Sequence, residues 1–146
     1  MDIRSLNVDE KEYNEFINFF RAYLEEVDPE FENKKHLIDK YCKLVIINNK
    51  YKVNWILVNE NKAGFFIWYI YDLYKGKKGL HVSEFYVLKE YRRRGIGTFV
   101  LNNILSKFDL SEIRLEAVIK NTVAVKFWKS LGFKPYKFIM KKTEGF

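Results

Sequence analysis

Apolar residues recur along this chain with two periods, and the switches between the two predict its elements. Tyr13, Phe16, Ile17, Phe20, Leu24 and Val27 return at the spacing of one helix face. Asp9 stands where an N-cap is wanted, and Asp28-Pro29 ends the run, because the residue before proline is pushed out of the helical region. A second helix is predicted from Lys34 to about Ile47, with Leu37, Tyr41, Leu44 and Val45 on one face and Asn48-Asn49-Lys50 as punctuation. Residues 1–6 predict a short strand. Two more follow, Tyr51 to Val58 and Ala63 to Tyr74, joined by the polar Asn59-Glu60-Asn61-Lys62, a hairpin-length connection.

Lys75-Gly76-Lys77-Lys78-Gly79 is a turn leading into a strand from Leu80 to Val87. Helical spacing returns from Gly95 with Ile96, Val100, Leu101, Ile104, Leu105 and Phe108, and Ile113 to Ile119 predicts another strand. Asn121 is placed to cap a last helix that buries Ala124, Phe127, Trp128 and Leu131. Gly132 suits a left-handed position just past its end, with Phe133 set for the hydrophobic contact that accompanies such a stop. Phe138 to Lys142 predicts a closing strand. The order is β-α-α-β-β-β-α-β-α-β, an α/β fold with a mixed sheet in one domain, residues 1–146.

Composition narrows the class. A chain of 146 residues, 48% hydrophobic and 31% charged, is long enough for a core of its own. Its one cysteine, Cys42, forms no intrachain disulfide and suits a reducing, cytoplasmic setting. The start, Met1 to Ser5, lacks the apolar core of a signal peptide. The longest apolar run, Ala63 to Tyr71, falls well short of the roughly 20 residues a membrane helix needs. The net charge of +7 is uneven: Asp9 to Asp39 holds ten acids against four bases, a net −6, which leaves +13 elsewhere. A basic body points to a polyanion or a phosphate-rich ligand.

The sharpest chemical signal is Tyr91-Arg92-Arg93-Arg94-Gly95-Ile96-Gly97-Thr98, between a strand pattern and a helix pattern. The first amides of a helix lack intrahelical partners, and the helix dipole places positive charge there. Glycines admit a ligand close to the backbone, and arginines fork onto phosphate oxygens. The residues therefore read as a phosphate site.

Three blocks together extend that reading: Glu84-Phe85-Tyr86-Val87, then Arg92-x-x-Gly95-x-Gly97, then Asn121-x-x-Ala124-x-x-Phe127-Trp128-x-x-Leu131-Gly132-Phe133. Their order and spacing resemble the GNAT superfamily of N-acetyltransferases over nearly the whole chain. The resemblance implies that Arg92, Arg93, Arg94, Gly95, Ile96, Gly97 and Thr98 hold the pyrophosphate of acetyl-coenzyme A. It implies that Phe85, Tyr86 and Val87, on a fourth strand that is bulged and splayed from the fifth, meet the pantetheine arm. Val87 would offer its amide as an oxyanion donor. Glu84 is the candidate base, since an alkyl amine of pKa about 10.4 must lose a proton before it attacks; the other reading is an ordinary carboxylate on a half-exposed strand. Asn121, Phe127 and Trp128 would lie along the cofactor, with Asn121 also an N-cap. Many relatives carry a tyrosine where this chain has Trp128, and indole does not protonate a thiolate; water or Tyr136 would have to serve.

The resemblance places the first two helices on the acceptor side. The run from Glu25 to Glu32 there suggests a cationic acceptor: a polyamine, an aminoglycoside-like amine or a lysine-bearing peptide. A homodimer is a further expectation from the family. His36 and His81 have no partners at ligand spacing, so no metal is expected. Cys42 reads as a core residue. Two other classes remain: an acetyl-coenzyme A sensor without turnover, suggested by Trp128, and a nucleic-acid binder. The latter is disfavoured because the bases are spread over turns and strand ends.

Overall fold

The computed structural model describes all 146 residues, which form two compact units, Met1–Glu116 and Ala117–Phe146. The first holds a five-stranded sheet of order β1-β2-β3-β4-β5. Its strands are β1 (Ile3–Asn7), β2 (Lys52–Val58), β3 (Asn61–Asp72), β4 (Lys78–Val87) and β5 (Glu112–Leu115). All neighbours are antiparallel except β4 and β5, which run parallel. The helices of this unit are α1 (Tyr13–Val27), the single turn α2 (Phe31–Lys34), α3 (Ile38–Ile47) and α4 (Ile96–Lys107).

Asp9 caps as predicted, through a full capping box: its side chain accepts from the Lys11 amide at 2.8 Å, and Glu12 accepts from the Asp9 amide at 3.0 Å. The box closes one 3-10 turn before α1 begins. The expected second helix is broken, with α2 and a 3-10 turn (Lys35–Leu37) preceding α3. The β2–β3 connection is tighter than four residues. Val58 still pairs with Asn61, and Asn59 and Glu60 both take positive φ, the geometry of a type I′ hairpin turn.

Alternation along the strands sends two apolar sets to opposite faces. One set, Val53, Trp55, Leu57, Phe65, Ile67 and Tyr86, packs with Phe16 and Phe20 of α1 and Ile38, Cys42 and Val45 of α3. Burial pushes the Cys42 thiol up to about 12, so it stays a neutral core group. The other set includes Ile56, Phe66, Leu80 and Val82; α4 buries Ile96, Val100, Leu101 and Ile104.

The second unit contains α5 (Thr122–Ser130), capped by Asn121, whose side chain accepts from the Ala124 amide at 3.2 Å. Its end is a Schellman motif. Gly132 has φ +93°, its amide bonds the Lys129 carbonyl at 3.0 Å, and the Phe133 amide bonds that of Trp128 at 3.1 Å. The Phe133 ring meets Trp128 edge-on at 5.4 Å, the contact the sequence predicts. Two expectations are corrected. Residues 138–142 form no strand, and Phe138 and Met140 are exposed. The fifth strand stops at Leu115 rather than Ile119. An apolar run becomes a strand only where its amides and carbonyls join a ladder, and neither stretch does.

Candidate active site

Glu84 is brought to the helix-covered face by an irregularity in β4. Glu84 pairs with Ile67 and Val82 with Trp68, so one residue of β4, Ser83, is extra. A bulge of this kind inverts the facing of everything after it. Without it Glu84 would share the face of Val82, towards α4. With it, Glu84 lies beside Tyr23 of α1 and Tyr41 of α3, half-buried. The Tyr23 hydroxyl donates to one carboxylate oxygen at 2.5 Å, and that of Tyr41 reaches the other at 3.4 Å. Burial raises the Glu84 carboxyl to about 6, and the two hydroxyls work against that rise by favouring the charged form. Burial and the adjacent carboxylate push both tyrosines far up, so they remain protonated donors. Tyr23 also packs against Phe65 and Tyr86, at 5.6 and 5.4 Å between ring centroids, which fixes its orientation.

Past Glu84 the strand leaves its neighbour. The β4–β5 ladder covers only Gly79–Val82 against Glu112–Leu115. The Leu88 amide bonds the Ala63 carbonyl of β3 at 2.8 Å, so by alternation the Val87 amide points away from β3, to the side where β5 no longer pairs. The Val87 carbonyl on that side accepts from Arg92 Nε at 2.7 Å. Tyr86 turns inward to the core, and Phe85 meets Phe66 at 5.9 Å on the opposite face. Gly64 permits this packing. A Cβ there would lie 2.0 Å from the Tyr86 carbonyl oxygen and 3.0 Å from Val87 Cα.

The turn that follows has Arg93 and Gly95 in the left-handed region, at φ 63° and 73°. Gly95 is the N-cap of α4 and supplies no capping side chain, while Ile96 anchors the helix in the core. The space over the Gly95 α-carbon is open, with nothing within 4 Å of where a Cβ would stand. The amides of Ile96, Gly97 and Thr98 open α4 with no side-chain cap. Arg93 and Arg94 are exposed beside them. Arg92 is different from its expectation. Its guanidinium grips Glu26 of α1 with two bonds, at 2.6 and 2.8 Å, and lies over the Tyr86 ring at 5.6 Å. Its side chain is therefore engaged within the protein, and the charge of the turn falls to Arg93 and Arg94.

The acidic run is largely compensated. Glu26 pairs with Arg92, Lys34 with both Asp28 and Glu30, and Lys35 with Glu32. Asn121, Phe127 and Trp128 belong to the second unit, where Phe127 and Trp128 meet edge-on at 4.9 Å and both are half-buried.

Sequence reasoning missed Tyr41 as a partner of Glu84, and the resemblance implied a bulged fourth strand without placing the extra residue at Ser83. A signal for the bulge is present: apolar residues fall at Leu80 and Val82, then at Phe85 and Val87, a change of phase between them.

The sequence model of the acetyltransferase (GNAT) family matches residues 12–133. The chain belongs to that family. An N-alpha-acetyltransferase of Sulfurisphaera tokodaii is 39% identical over 67 residues, a match covering 43% of this chain and 40% of that relative's length. Among solved structures, a ribosomal-protein-alanine N-acetyltransferase from Brucella melitensis biovar Abortus 2308 superposes with TM-score 0.73 at 16% identity, over 97% of this chain and 100% of that one. An aminoglycoside acetyltransferase from an uncultured soil metagenomic sample, solved in complex with sisomicin, gives TM-score 0.69 at 17% identity, over 99% and 96% of the two chains. At those identities the structural likeness speaks for the GNAT fold. No helix of this chain is long and apolar enough to cross a membrane.

Proposed function

We propose that this GNAT acetyltransferase moves the acetyl group of acetyl-coenzyme A onto a primary amine, with Glu84 as the base. The observation that carries the reading is Glu84 itself, lifted to about 6 and held by Tyr23 and Tyr41 just before β4 departs from β5. A carboxylate in that range is charged near neutral pH and still basic enough to take a proton from an ammonium, directly or through water. The donor set suits a coenzyme A phosphate: uncapped amides from Ile96 to Thr98, open space over Gly95, and two exposed arginines. Bound acetyl-coenzyme A would supply an activated acetyl group, whose carbon–sulfur bond is exchanged for a carbon–nitrogen bond. The outward Val87 amide is the donor for the carbonyl oxygen, and Arg92 steadies that stretch by holding the Val87 carbonyl. Trp128 donates a hydrogen bond at most, so the thiolate departs without a tyrosine acid, a tolerable loss for a thiol of pKa about 8.5. Cys42, buried and unpaired, agrees with a cytoplasmic setting.

Thermal unfolding with and without acetyl-coenzyme A tests the donor. At about 100 times its dissociation constant the ligand should add roughly 2.7 kcal/mol, and Gly97→Val should shrink the rise in midpoint by crowding the phosphate loop. No rise in the unaltered chain would sink the donor assignment. The relatives named above span a protein alanine amine and an aminoglycoside, so the acceptor has to be read from this chain's own residues.

A further inference from the structure

Beyond Glu84, the helix-side face of the sheet carries a run of aromatic residues that the proposed chemistry does not use. Tyr51 and Tyr69 stand edge to face, 5.5 Å between centroids at 87°, and both are half-buried. Tyr69 is stacked on His81 at 4.8 Å and 22°, and His81 Nδ1 lies 3.2 Å from the hydroxyl of Ser83, the bulge residue. Tyr51 packs against the core that holds Phe20 and Ile67. The two rings are thus walls fixed from behind, and they already hold an ammonium. Lys50 Nζ lies 4.3 Å from the Tyr69 centroid and 5.5 Å from that of Tyr51.

That lysine is delivered by the end of α3. Asn48 ends the helix, and its side chain accepts from the Lys50 amide at 2.8 Å, turning the chain so that Lys50 reaches over the rings. Its side chain is otherwise exposed and its charge is held by ring faces. Ile67 is the register partner of Glu84, and Tyr69 follows two residues later on the same face. At about 3.4 Å per residue, the corner is roughly 7 Å along the strand from the base. Burial lowers the His81 pKa, so this neighbour adds no competing positive charge at neutral pH.

We propose that the Tyr51–Tyr69 corner is the acceptor subsite for a second positive charge, with Lys50 filling it until an acceptor arrives. The substrate class is then an amine that carries a further ammonium about one short alkyl chain away, as an alkyl diamine or polyamine does. One ammonium sits against the rings while the other, at Glu84, loses its proton and attacks. Lys50 and the acceptor exchange like for like, so Lys50 acts as an internal competitor. This inference rests on Glu84 serving an amine acetyltransferase, and it shifts cation recognition from the acidic run, whose charges are largely paired, to the sheet face.

The test compares a four-carbon diamine with a four-carbon monoamine at saturating acetyl-coenzyme A. The diamine should show the lower KM. Tyr69→Leu should raise the diamine KM about 3- to 30-fold and leave that of the monoamine in place, whereas Tyr69→Phe, which keeps the ring face, should preserve it. Lys50→Ala should lower the diamine KM by removing the competitor. Equal effects of Tyr69→Leu on both amines, or an unchanged diamine KM in Lys50→Ala, overturn the proposal. Calorimetric titration of the diamine into the unaltered chain and Tyr69→Leu reads the corner without turnover, and equal affinities there also overturn it. Absence of both turnover and an acetyl-coenzyme A midpoint shift would count against the function proposed above. Turnover without diamine preference counts against the corner alone.

Discussion

Glu84 concentrates two opposed effects in one side chain. Burial disfavours its charge, two tyrosine hydroxyls favour it, and burial wins, leaving the carboxyl near 6 against an ordinary 4.5. A raised acid binds its proton more tightly in the folded chain than in the unfolded one. Its contribution to stability is therefore complete below about 4.5 and is lost as pH rises through 6, a difference of about 2 kcal/mol at most. Glu84→Gln should accordingly raise the unfolding midpoint at pH 8 relative to the unaltered chain, with the gain fading by pH 4. The same variant should lower kcat by about 10²- to 10⁴-fold and abolish the acid limb of kcat/KM near pH 6. Full activity with the limb intact would remove Glu84 from the mechanism.

At the scale of elements, β4 is shaped by a bulge on one side and a glycine on the other. Gly64 brings β3 within 2.0 Å of the Tyr86 carbonyl, measured from where a Cβ would be, and the obstruction is backbone, which cannot rotate aside. Gly64→Ala should cost about 1–3 kcal/mol in urea unfolding, and it should reduce turnover beyond what stability explains, because the Tyr86–Val87 stretch must shift. A variant with unchanged midpoint and activity would show that this close approach is not needed. Elements also show where sequence patterns are sufficient. The stop of α5 at Gly132 and Phe133 was legible because a Schellman motif is built from residues within one turn of each other. The strand expected at 138–142 was misread because its existence depends on a partner far away in the chain.

Across the molecule, Arg92 and Glu26 tie the end of α1 to the loop before α4, across a separation of 66 residues. The pair is more than a third exposed on both sides, so its contribution is modest despite the two-bonded geometry. A double-mutant cycle with Arg92→Ala and Glu26→Ala should return a coupling of about 0.5–1 kcal/mol, and the Arg92 single variant should weaken turnover more than Glu26→Ala does, because it alone loses the Val87 carbonyl contact. Equal turnover losses would confine Arg92 to holding α1.

Local patterns in the sequence determined the buried faces of α1 and α4, the N-cap at Asp9, the hairpin after β2, the strand that carries Glu84 and the glycine-rich entry to α4, but not the face of α3, which buries Ile38, Cys42 and Val45 and leaves the expected Leu37 and Leu44 exposed. Each depends on residues within a few positions of one another, where periodicity and turn chemistry act. Tertiary structure alone decided which face Glu84 presents, that Tyr23 and Tyr41 meet it, that Arg92 turns to Glu26 and that Lys50 rests on Tyr51 and Tyr69. Those outcomes depend on strand register and on packing between elements dozens of residues apart, and one extra residue at Ser83 sets the face that Glu84 takes.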